Sequence, residues 1–318
     1  MAMAEPPGEQ TATDEPWPSV TVIVPVRNGA GHLAACLEAL LNQVYPGPPP
    51  ELIFIDNGST DGTVELLNTY RRKAGSSLVI GHEPIQGASS ARNAGIRMAS
   101  SEWITFTDVD CLPRPNWLRE LITAARLHPR ATFIGGAIGT RLPANAIARF
   151  AESLFDHRDA IENFLPPYVI TANLLARRSD LLRFGLFDPA FPRGQDVELA
   201  WRAHFEHGAQ FAFAEAARID HCNVESLWSL WHKGIQHGHG SALVWSRFET
   251  RLGVSRHRRM CQLLPYWDVA KETLALFAKL WYGTCNESES ATRIDPFFRA
   301  TFLLARHLSF IYHTLWIV

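Results

Sequence analysis

Apolar residues in the first third of the chain fall into two alternating patterns. Short runs rich in Val, Ile and Phe predict buried strands at residues 20–24, 51–55, 78–80 and 103–107. Between these runs, apolar residues recur every three or four positions, which predicts amphipathic helices. Strands that alternate with helices through short connections are typical of a parallel sheet with helices on both faces. The pattern therefore predicts an α/β fold for this part of the chain.

The remainder of the chain is richer in helical patterns. Further elements are predicted as helices from Pro115, over 144–164 and over 195–208, and as strands over 131–136, 168–176 and 211–213. From about Glu225 onward the pattern is helical and aromatic. We therefore divide the chain into a leader (1–18), a main domain (19–224) and a helical C-terminal region (225–318).

Composition and charge change this picture only by exclusion. The 318 residues are 47% hydrophobic, and the formal net charge of -2 gives no reason to expect nucleic acid as a partner. Five cysteines with no CxxC spacing argue against a disulfide framework and favour a reducing compartment. Residues 1–18 lack the basic start and apolar run of a signal peptide, so we expect a disordered leader. No uninterrupted apolar run is long enough to cross a bilayer, which leads us to expect a cytoplasmic protein.

Polar residues cluster where three of the predicted strands end. The clusters are residues 25–28, 56–61 and 108–110. Ligands of parallel α/β sheets bind outside the carboxyl ends of the strands, so these clusters predict a site. Asp108 and Asp110 alternate along an extended chain and can share one face, where a divalent cation bridged to a diphosphate would relieve their repulsion. The alternative for this pair is a solvated acidic turn.

Two familiar nucleotide motifs are missing from the sequence. Neither GxGxxG nor the P-loop follows the first predicted strand. A dehydrogenase and a P-loop NTPase are therefore disfavoured.

Five motifs follow one another in an order that resembles a known family. They are VIVPVRN (22–28), IDNGSTDGT (55–63), ARNAG (91–95), DVD (108–110) and GQDVEL (194–199). In this order and spacing they resemble the family 2 glycosyltransferases of the GT-A fold, over roughly residues 19 to 215.

The resemblance implies a GT-A fold, which is a Rossmann-like, mainly parallel sheet with helices on both faces, here followed by a helical C-terminal extension. It also implies transfer of a sugar from a nucleotide-diphosphate donor with inversion, assisted by Mg²⁺ or Mn²⁺. Residues 19–115 would bind the nucleotide sugar and residues 116–224 the acceptor. The expected acceptor is a lipid-linked, saccharide or peptide substrate.

The resemblance and the chemistry of each side chain assign roles within the site. Asp196 is the predicted general base; the family usually has two acids in a row here, whereas this chain has Gln195 before Asp196. Asp110 and Asp108 are predicted to hold the metal, and His221 is either a further ligand or structural. Substrate contacts are predicted for Pro25, Val26, Arg27, Asn28, Asp56, Arg92, Asn93, Asp108, Val109, Gln195, Glu198 and Trp228. Of these, Glu198 is also a weaker candidate for the base.

Several assignments have a simpler alternative. Asp56 either accepts a hydrogen bond from a pyrimidine N–H or caps a turn, a role that Asp61 can equally supply. Arg92 either clamps the diphosphate or base, or is an ordinary surface arginine. Trp228 either lines the acceptor site or packs on the core. A histidine group invites comparison with a zinc site: His232, His237 and His239. No cysteine or carboxylate lies at ligand spacing, so we prefer a polar helix.

The C-terminal segment from Phe297 to Val318 predicts an amphipathic helix. Arg299, Arg306 and His313 recur every seven residues and fall on one narrow basic face. This pattern suits peripheral contact with the inner face of a membrane through the C-terminal helix. A helix packed in a bundle and a homodimer contact remain open alternatives.

Two other functions compete with the enzyme. A non-catalytic relative that binds nucleotide sugar or acts as a scaffold would share the fold, although the near-complete set of motifs disfavours it. A sugar nucleotidyltransferase would need a Gly-rich basic loop after the first strand, and the turn Val26-Arg27-Asn28-Gly29 is not such a loop.

Overall fold

One mixed β-sheet organises the molecule. The computed structural model describes residues 16–142, 144–253 and 295–316. The strands are β1 (Val20–Val26), β2 (Glu51–Asp56), β3 (Leu78–His82), β4 (Trp103–Phe106), β5 (Cys111–Pro113), β6 (Phe133–Thr140), β7 (Leu174–Arg177) and β8 (Phe211–His221). Their order across the sheet is β3-β2-β1-β4-β7-β6-β8-β5. The strands β1 to β4 are parallel, whereas β7 pairs antiparallel with both β4 and β6, so the predicted parallel sheet describes the first half best.

Helices cover both faces of this sheet. Those described are α1 (Ala30–Leu41), α2 (Thr63–Ala74), α3 (Ala88–Met98), α4 (Trp117–Leu127), α5 (Ala146–Glu152), α6 (His157–Glu162), α7 (Arg178–Arg183), α8 (Gln195–His207), α9 (Leu227–Leu252) and α10 (Asp295–Trp316). Apolar residues of α1, α2 and α4 pack on one face, and those of α3, α7, α8 and α9 pack on the other. Strands β1, β2 and β4 are buried on both sides, which explains their continuous apolar runs.

Two predicted elements are interrupted or shortened in the structure. The helix predicted over 144–164 is interrupted, because Ser153–Phe155 forms a 3₁₀ turn and the Asp156 side chain accepts a hydrogen bond from the Asp159 N–H, which starts α6. Of the strand predicted over 168–176, only residues 174–176 belong to a strand, β7, and Thr171–Asn173 forms a 3₁₀ turn. The helix is interrupted by a side-chain cap, and the strand is limited by its distant pairing partners. The spacing of apolar residues reports neither effect.

Strand β8 is much longer than the three residues predicted for it. It pairs in parallel with β6 along most of its length, and its end pairs antiparallel with β5. Strand length here follows from distant partners. The consequence for function is that β8 carries His221 to the edge where the Asp108–Asp110 turn lies.

The long helix α9 is clamped between the main domain and α10. A Cβ on Gly234 would lie 2.6 Å from the Phe302 carbonyl oxygen, and one on Gly238 would lie 2.1 Å from the Arg306 carbonyl oxygen, so only glycine permits this close packing. Ser309 Oγ also donates to the Ile235 carbonyl at 2.7 Å. The bundle alternative for the C-terminal helix therefore describes one face of α10.

The other predictions about the ends of the chain are only partly within the described residues. Residues 1–15 of the leader lie outside them, whereas Trp17 packs edge-on against Tyr45 at a centroid distance of 5.5 Å. Leu304, Leu308 and Tyr312 form an exposed stripe on α10. None of the described helices combines the length and the apolar character needed to cross a membrane.

Candidate active site

The turns that follow β1 and β2 are joined by hydrogen bonds. The Asn28 N–H donates to Ser59 Oγ at 2.9 Å, and the Thr60 N–H donates to Asn28 Oδ1 at 2.8 Å. Asn28 has a φ of 53°, a left-handed conformation that asparagine tolerates better than most residues. Two of the three predicted polar clusters are therefore one connected structure.

The predicted contact residues Pro25, Val26 and Arg27 lead into this turn. Pro25 is half-buried, Val26 is buried and Arg27 is exposed. The Val26 carbonyl accepts a hydrogen bond from the Asn57 N–H at 2.8 Å, which continues the pairing of β1 with β2 past the strand end. The turn thus presents Arg27 and its own main chain at the carboxyl edge of the sheet.

Asp61 and Asp56 both accept hydrogen bonds from main-chain N–H groups in the turns at the strand ends. Asp61 accepts hydrogen bonds from the Ala30 N–H at 3.2 Å, from the Thr63 N–H at 3.1 Å and from the Thr63 hydroxyl, so it holds the starts of α1 and α2. Asp56 is 5% exposed at the end of β2, and its Oδ2 lies 3.2 Å from His82 Nδ1. Asp56 also caps a turn, because its Oδ1 accepts a hydrogen bond from the Ser59 N–H at 3.2 Å. Contact of Asp56 with a nucleobase therefore stays a prediction.

The Asp108–Asp110 turn contacts the turn after β1. A Cβ on Gly29 would lie 2.7 Å from Val26 Cγ2 and 3.1 Å from both Val109 methyl groups, so glycine is required there. Val109 therefore packs beneath the site. Asp108 and Asp110, the carboxylates on either side of Val109, lie between the end of β4 and the start of β5.

Arg92 is a buried arginine with unused hydrogen-bond donors. Its side chain is 3% exposed, and Nη2 donates to Asp108 Oδ1 at 2.8 Å. Among the described residues, neither Nε nor Nη1 of Arg92 has a hydrogen-bond partner. Buried donors that lack partners are costly, and an anion bound beside them would remove that cost. The surface-arginine alternative does not fit this burial.

Asp110 and His221 meet where β5 pairs with β8. His221 Nε2 lies 3.6 Å from Asp110 Oδ2, and His221 Nδ1 lies 3.1 Å from Asn223 Oδ1. Asn223 in turn donates to Thr140 Oγ1 at 2.9 Å, which fixes its amide orientation. The Asn223 oxygen requires an N–H at His221 Nδ1, so the Nε2 lone pair is directed at Asp110.

These residues fit a divalent cation. Ligand atoms of Asp110, Cys111 and His221 lie within 4.8 Å of one another. Burial lowers the pKa of His221, which keeps its ring neutral, and raises the pKa of the Cys111 thiol, which keeps it protonated. The usable donors are therefore one carboxylate oxygen and one imidazole nitrogen, the latter oriented by Asn223 as is usual for metal-bound histidine.

Asp196 lies in the first turn of α8. Gly194 precedes it with a φ of 73°, and a Cβ there would lie 3.2 Å from the Gly240 carbonyl oxygen of α9. Asp196 Oδ1 accepts a hydrogen bond from the Val197 N–H at 3.0 Å. Burial raises the pKa of Asp196, and the positive charge of Arg92 partly offsets this shift. A higher pKa makes the carboxylate a better proton acceptor.

The neighbours of Asp196 differ in what they contact. Gln195 Oε1 is buried without a hydrogen-bond partner among the described residues, so it is available to a ligand. Glu198 is fully buried, and its two oxygens accept hydrogen bonds from Arg202 at 2.7 and 2.9 Å. Arg202 also donates to the carbonyls of Phe184 and Leu186. This network favours a structural role for Glu198 over substrate contact or base catalysis.

Asn93 is also occupied by the fold. Its Nδ2 donates to the Phe187 carbonyl at 2.8 Å, and its Oδ1 accepts from the Phe187 N–H at 3.0 Å. The ring of Phe187 lies 5.8 Å from the Arg92 guanidinium carbon. Asn93 therefore positions the loop that covers Arg92, which favours an indirect role over direct substrate contact.

Two cations that the sequence analysis did not single out border the site. Burial lowers the pKa of Arg193, and the negative charges of Asp108 and Asp196 oppose this shift. Lys233, on α9, has its Nζ 4.0 Å from the centre of the Phe155 ring, and burial lowers its pKa to about 8 against an opposing effect of Asp110. A single lysine in a helical pattern gives no sequence signal. His82, by contrast, ends the third parallel strand, so the strand-end rule could have found it.

The remaining predicted residues lie on α9. Trp228 is 71% exposed near the start of α9, with its ring 4.3 Å from that of His232, and its acceptor role stays a prediction. His239 stacks on His313 at a centroid distance of 4.0 Å. Within the described part of the chain, the only metal-like group is the one at Asp110, so the histidines of α9 are not part of a zinc cluster there.

The parallel strand ends, the acidic turn after β4 and the acid at the start of α8 define a glycosyltransferase of the GT-A type. A family model described as glycosyl transferase family 2 matches residues 21–184, which is more than half of the chain. The chain belongs to this family.

Two curated relatives show how far the similarity extends. Glycosyltransferase AglE of Haloferax volcanii is 28% identical over 230 residues, which are 72% of this chain and 74% of that protein. The pre-mycofactocin glycosyltransferase of Mycobacterium tuberculosis is 29% identical over 216 residues, which are 64% of this chain but only 42% of that protein. This chain therefore corresponds to less than half of the second relative.

Solved structures confirm the fold. The mannosyltransferase PcManGT from Pyrobaculum calidifontis, in complex with GDP-Man and Mn²⁺, is similar with a TM-score of 0.61 and 19% identity over 96% of this chain and 92% of that chain. S. aureus TarS 1-349, in complex with UDP-GlcNAc, has a TM-score of 0.55 and 15% identity over 93% of this chain and 92% of that chain.

Proposed function

We propose that this glycosyltransferase moves a sugar from a nucleoside diphosphate to an acceptor hydroxyl with inversion at the anomeric carbon, assisted by a divalent cation. The observation that carries the proposal is the position of Arg92. It is buried, bonded to Asp108 and close enough to Asp196 to influence its pKa, and two of its donors have no partner among the described residues. The diphosphate of a nucleotide sugar would accept hydrogen bonds from those N–H groups, between Asp108 and the proposed base Asp196.

Each part of the site then has a task. Asp56 accepts a hydrogen bond from a nucleobase N–H, and the turn through Asn28 supports the base and ribose. Arg92 binds the diphosphate as a planar cation with paired donors. Asp196 takes the proton from the acceptor hydroxyl on the face opposite the leaving group, as an in-line displacement requires.

We propose Mn²⁺ as the preferred cation, with Mg²⁺ as the alternative. Asp110 and His221 would hold it, and Asp108 would lie beside the ribose and diphosphate. Imidazole nitrogen favours transition metals, whereas Mg²⁺ prefers oxygen alone, so this ligand pair favours Mn²⁺. When bound, the cation would neutralise charge on the departing diphosphate. The Mn²⁺ in the PcManGT complex supports this choice.

The acceptor is proposed to be a hydroxyl on a lipid-linked, saccharide or peptide substrate. The relatives support a role in making a glycoconjugate or polysaccharide, since one is named for a pre-mycofactocin substrate and another is a poly(ribitol-phosphate) β-glucosyltransferase of Bacillus spizizenii. We also keep peripheral membrane contact through the exposed face of α10 as a proposal for lipid-linked acceptors.

The decisive experiment is a panel of UDP-, GDP- and dTDP-sugars incubated with Mn²⁺, Mg²⁺ or EDTA. Release of nucleoside diphosphate measures donor use, and NMR of the anomeric proton of a transfer product reports inversion. We expect turnover of at least one donor with Mn²⁺, loss of turnover in EDTA, and loss in Asp110→Asn and Asp196→Asn. Asp180→Asn, on α7 outside the site, is the matched control and should remain active.

The competing scaffold function makes the opposite prediction. A scaffold would bind a nucleotide sugar without turning it over, and its binding would be indifferent to Asp196→Asn. If the protein bound nucleotide sugars but turned over none of them with either metal, we would conclude that it is a binding protein instead of an enzyme.

A further inference from the structure

Lys233 is a cation of the C-terminal region whose side chain lies against the site. Its Nζ is 4.0 Å from the centre of the Phe155 ring, whose centre lies 4.9 Å from that of the His221 ring. His221 Nε2 is in turn 3.6 Å from Asp110 Oδ2. A short chain of contacts therefore connects the lysine of α9 to the carboxylate at the end of the Asp108–Asp110 turn.

The charges around Lys233 belong to the same site. Asp110 and Arg193 are its main charged neighbours, and Lys233 in turn acts on His221. Lys233 is half-buried, yet it forms no ion pair or hydrogen bond with any of the described residues. A half-buried ammonium group that only contacts an aromatic face keeps its three N–H donors available.

The backbone that carries Lys233 is held in place on two sides. The next residue, Gly234, packs directly against Phe302 and Ala305 of α10, and Gly240 packs against the Arg193–Gly194 main chain just before Asp196. These contacts fix the position of α9 relative to the site. Lys233 is therefore presented to the site by a packed helix pair instead of a loop.

Lys233 also contributes to the charge balance of the site. Asp108, Asp110 and Asp196 bring three carboxylates to it, and Arg92, Arg193 and Lys233 bring three permanent or titratable cations. A divalent cation and a donor diphosphate can then enter together as a nearly neutral pair. When the sugar leaves the diphosphate, the terminal phosphate gains negative charge, which a point charge such as lysine can stabilise.

We propose that Lys233 binds the terminal phosphate of the donor diphosphate, so that the C-terminal helix pair of α9 and α10 completes the donor site. The proposal rests on the proposed function, because it presumes a nucleoside diphosphate leaving group. It assigns Lys233 to the phosphate farther from the nucleoside, while Asp56 and Asn28 serve the nucleobase end. The side chain is expected to discriminate between nucleoside diphosphate and nucleoside monophosphate.

The test compares Lys233→Met, Lys233→Arg and the matched control Lys73→Met on the exposed end of α2. Isothermal titration calorimetry measures the Kd of UDP, UMP, GDP and GMP, each with Mn²⁺ and in EDTA. We expect Lys233→Met to weaken the best-bound diphosphate by about tenfold or more, since a hydrogen bond to a charged group contributes more than a neutral one. Its monophosphate should keep nearly the wild-type Kd, Lys233→Arg should restore part of the loss, and Lys73→Met should match the wild type.

Each other outcome identifies a different error. An equal loss of diphosphate and monophosphate affinity in Lys233→Met, with a lowered Tm, would show that Lys233 only packs on Phe155 and would overturn the proposal. Unchanged diphosphate affinity would overturn it as well. If the wild type bound no nucleoside diphosphate, the proposed function itself would fail before Lys233 was tested.

Discussion

The two halves of the site are built in different ways. On the nucleotide side, Asn28, Asp56 and Asp61 lie at or just after the ends of parallel strands, and the turns there are joined by hydrogen bonds from main-chain N–H groups to side-chain oxygens. On the side of the metal and the base, Asp196, His221 and Lys233 come from a helix start, a long mixed strand and a C-terminal helix. Their polar atoms depend on side-chain contacts between elements far apart in the chain.

The two halves are therefore expected to have different tasks, nucleotide binding in the first and proton transfer and charge stabilisation in the second. In the first half, the side chains of Asn28, Asp56 and Asp61 all accept hydrogen bonds from main-chain N–H groups of the fold. The second half contains buried donors, an acid with a raised pKa and a neutral histidine. Perturbed groups of this kind concentrate where proton transfer and charge stabilisation occur. Substitution of the proposed base, Asp196, should therefore change kcat, whereas substitutions in the first half should change donor affinity at unchanged kcat.

The largest expected effect comes from Asp196→Asn. Loss of the base should lower kcat by about 10²- to 10⁴-fold while the donor KM changes little. Steady-state transfer to an acceptor measures this, with Asp180→Asn as the control. A wild-type kcat in Asp196→Asn would move the base elsewhere and would break the division between the two halves.

The pH dependence of kcat in the wild type tests the same role of Asp196 as the base. Because burial raises the pKa of Asp196, kcat should fall as the pH drops through that raised value, and this acidic limb should vanish in Asp196→Asn. The folded state holds this proton more tightly than the unfolded state. The stability that Asp196 contributes is thus present below its unfolded pKa and lost as the pH rises through its folded pKa. At neutral pH, Asp196→Asn should have a Tm at least equal to that of the wild type, which a less stable variant would contradict.

Glu198→Gln should affect stability instead of chemistry. Removing one partner from the buried Glu198–Arg202 pair should cost about 3 kcal/mol of the free energy of unfolding, because the guanidinium loses its counter-charge. Urea unfolding measures this, and Glu65→Gln, at an exposed position of α2, is the matched control. A large loss of kcat with unchanged stability would instead make Glu198 part of the catalytic machinery.

Asn223→Ala should lower the affinity for the metal, although Asn223 is not itself a proposed ligand. The orientation of His221 depends on Asn223, and loss of such a partner typically lowers metal affinity by about 10- to 100-fold. Mn²⁺ titration followed by calorimetry measures the effect, with the exposed Asn68→Ala as control. Wild-type Mn²⁺ affinity in Asn223→Ala would leave His221 a structural residue, the alternative that its sequence position allowed.

The smallest expected effect lies on the nucleotide side. Asn28→Gly preserves the left-handed backbone but removes the hydrogen bond to Thr60, at a cost of about 1 kcal/mol. Donor KM should rise a few-fold at unchanged kcat. A drop in kcat larger than the rise in KM would show that the two halves are not separable.

The same division decides what the sequence could predict. Asp56, Asp108 and Asp110 follow apolar runs directly, so the alternation of strands and helices was enough to place them together. Lys233 could not be predicted, because its position depends on packing between Gly234 and α10, which no local pattern encodes. The roles of Asn93 and Glu198 were also hidden, since only the structure shows that Phe187 and Arg202 occupy their polar atoms.

The glycine contacts of α9 have a consequence for the order in which the protein matures. The nucleotide side is assembled from neighbouring stretches early in the chain, so it can fold while later residues are still being synthesised. Among the described residues, the atoms nearest to a Cβ on Gly234 or Gly238 belong to α10, which is synthesised after residue 294. We expect a nascent chain to acquire nucleotide binding first and full transfer activity last, which would keep unfinished chains from consuming the sugar donor.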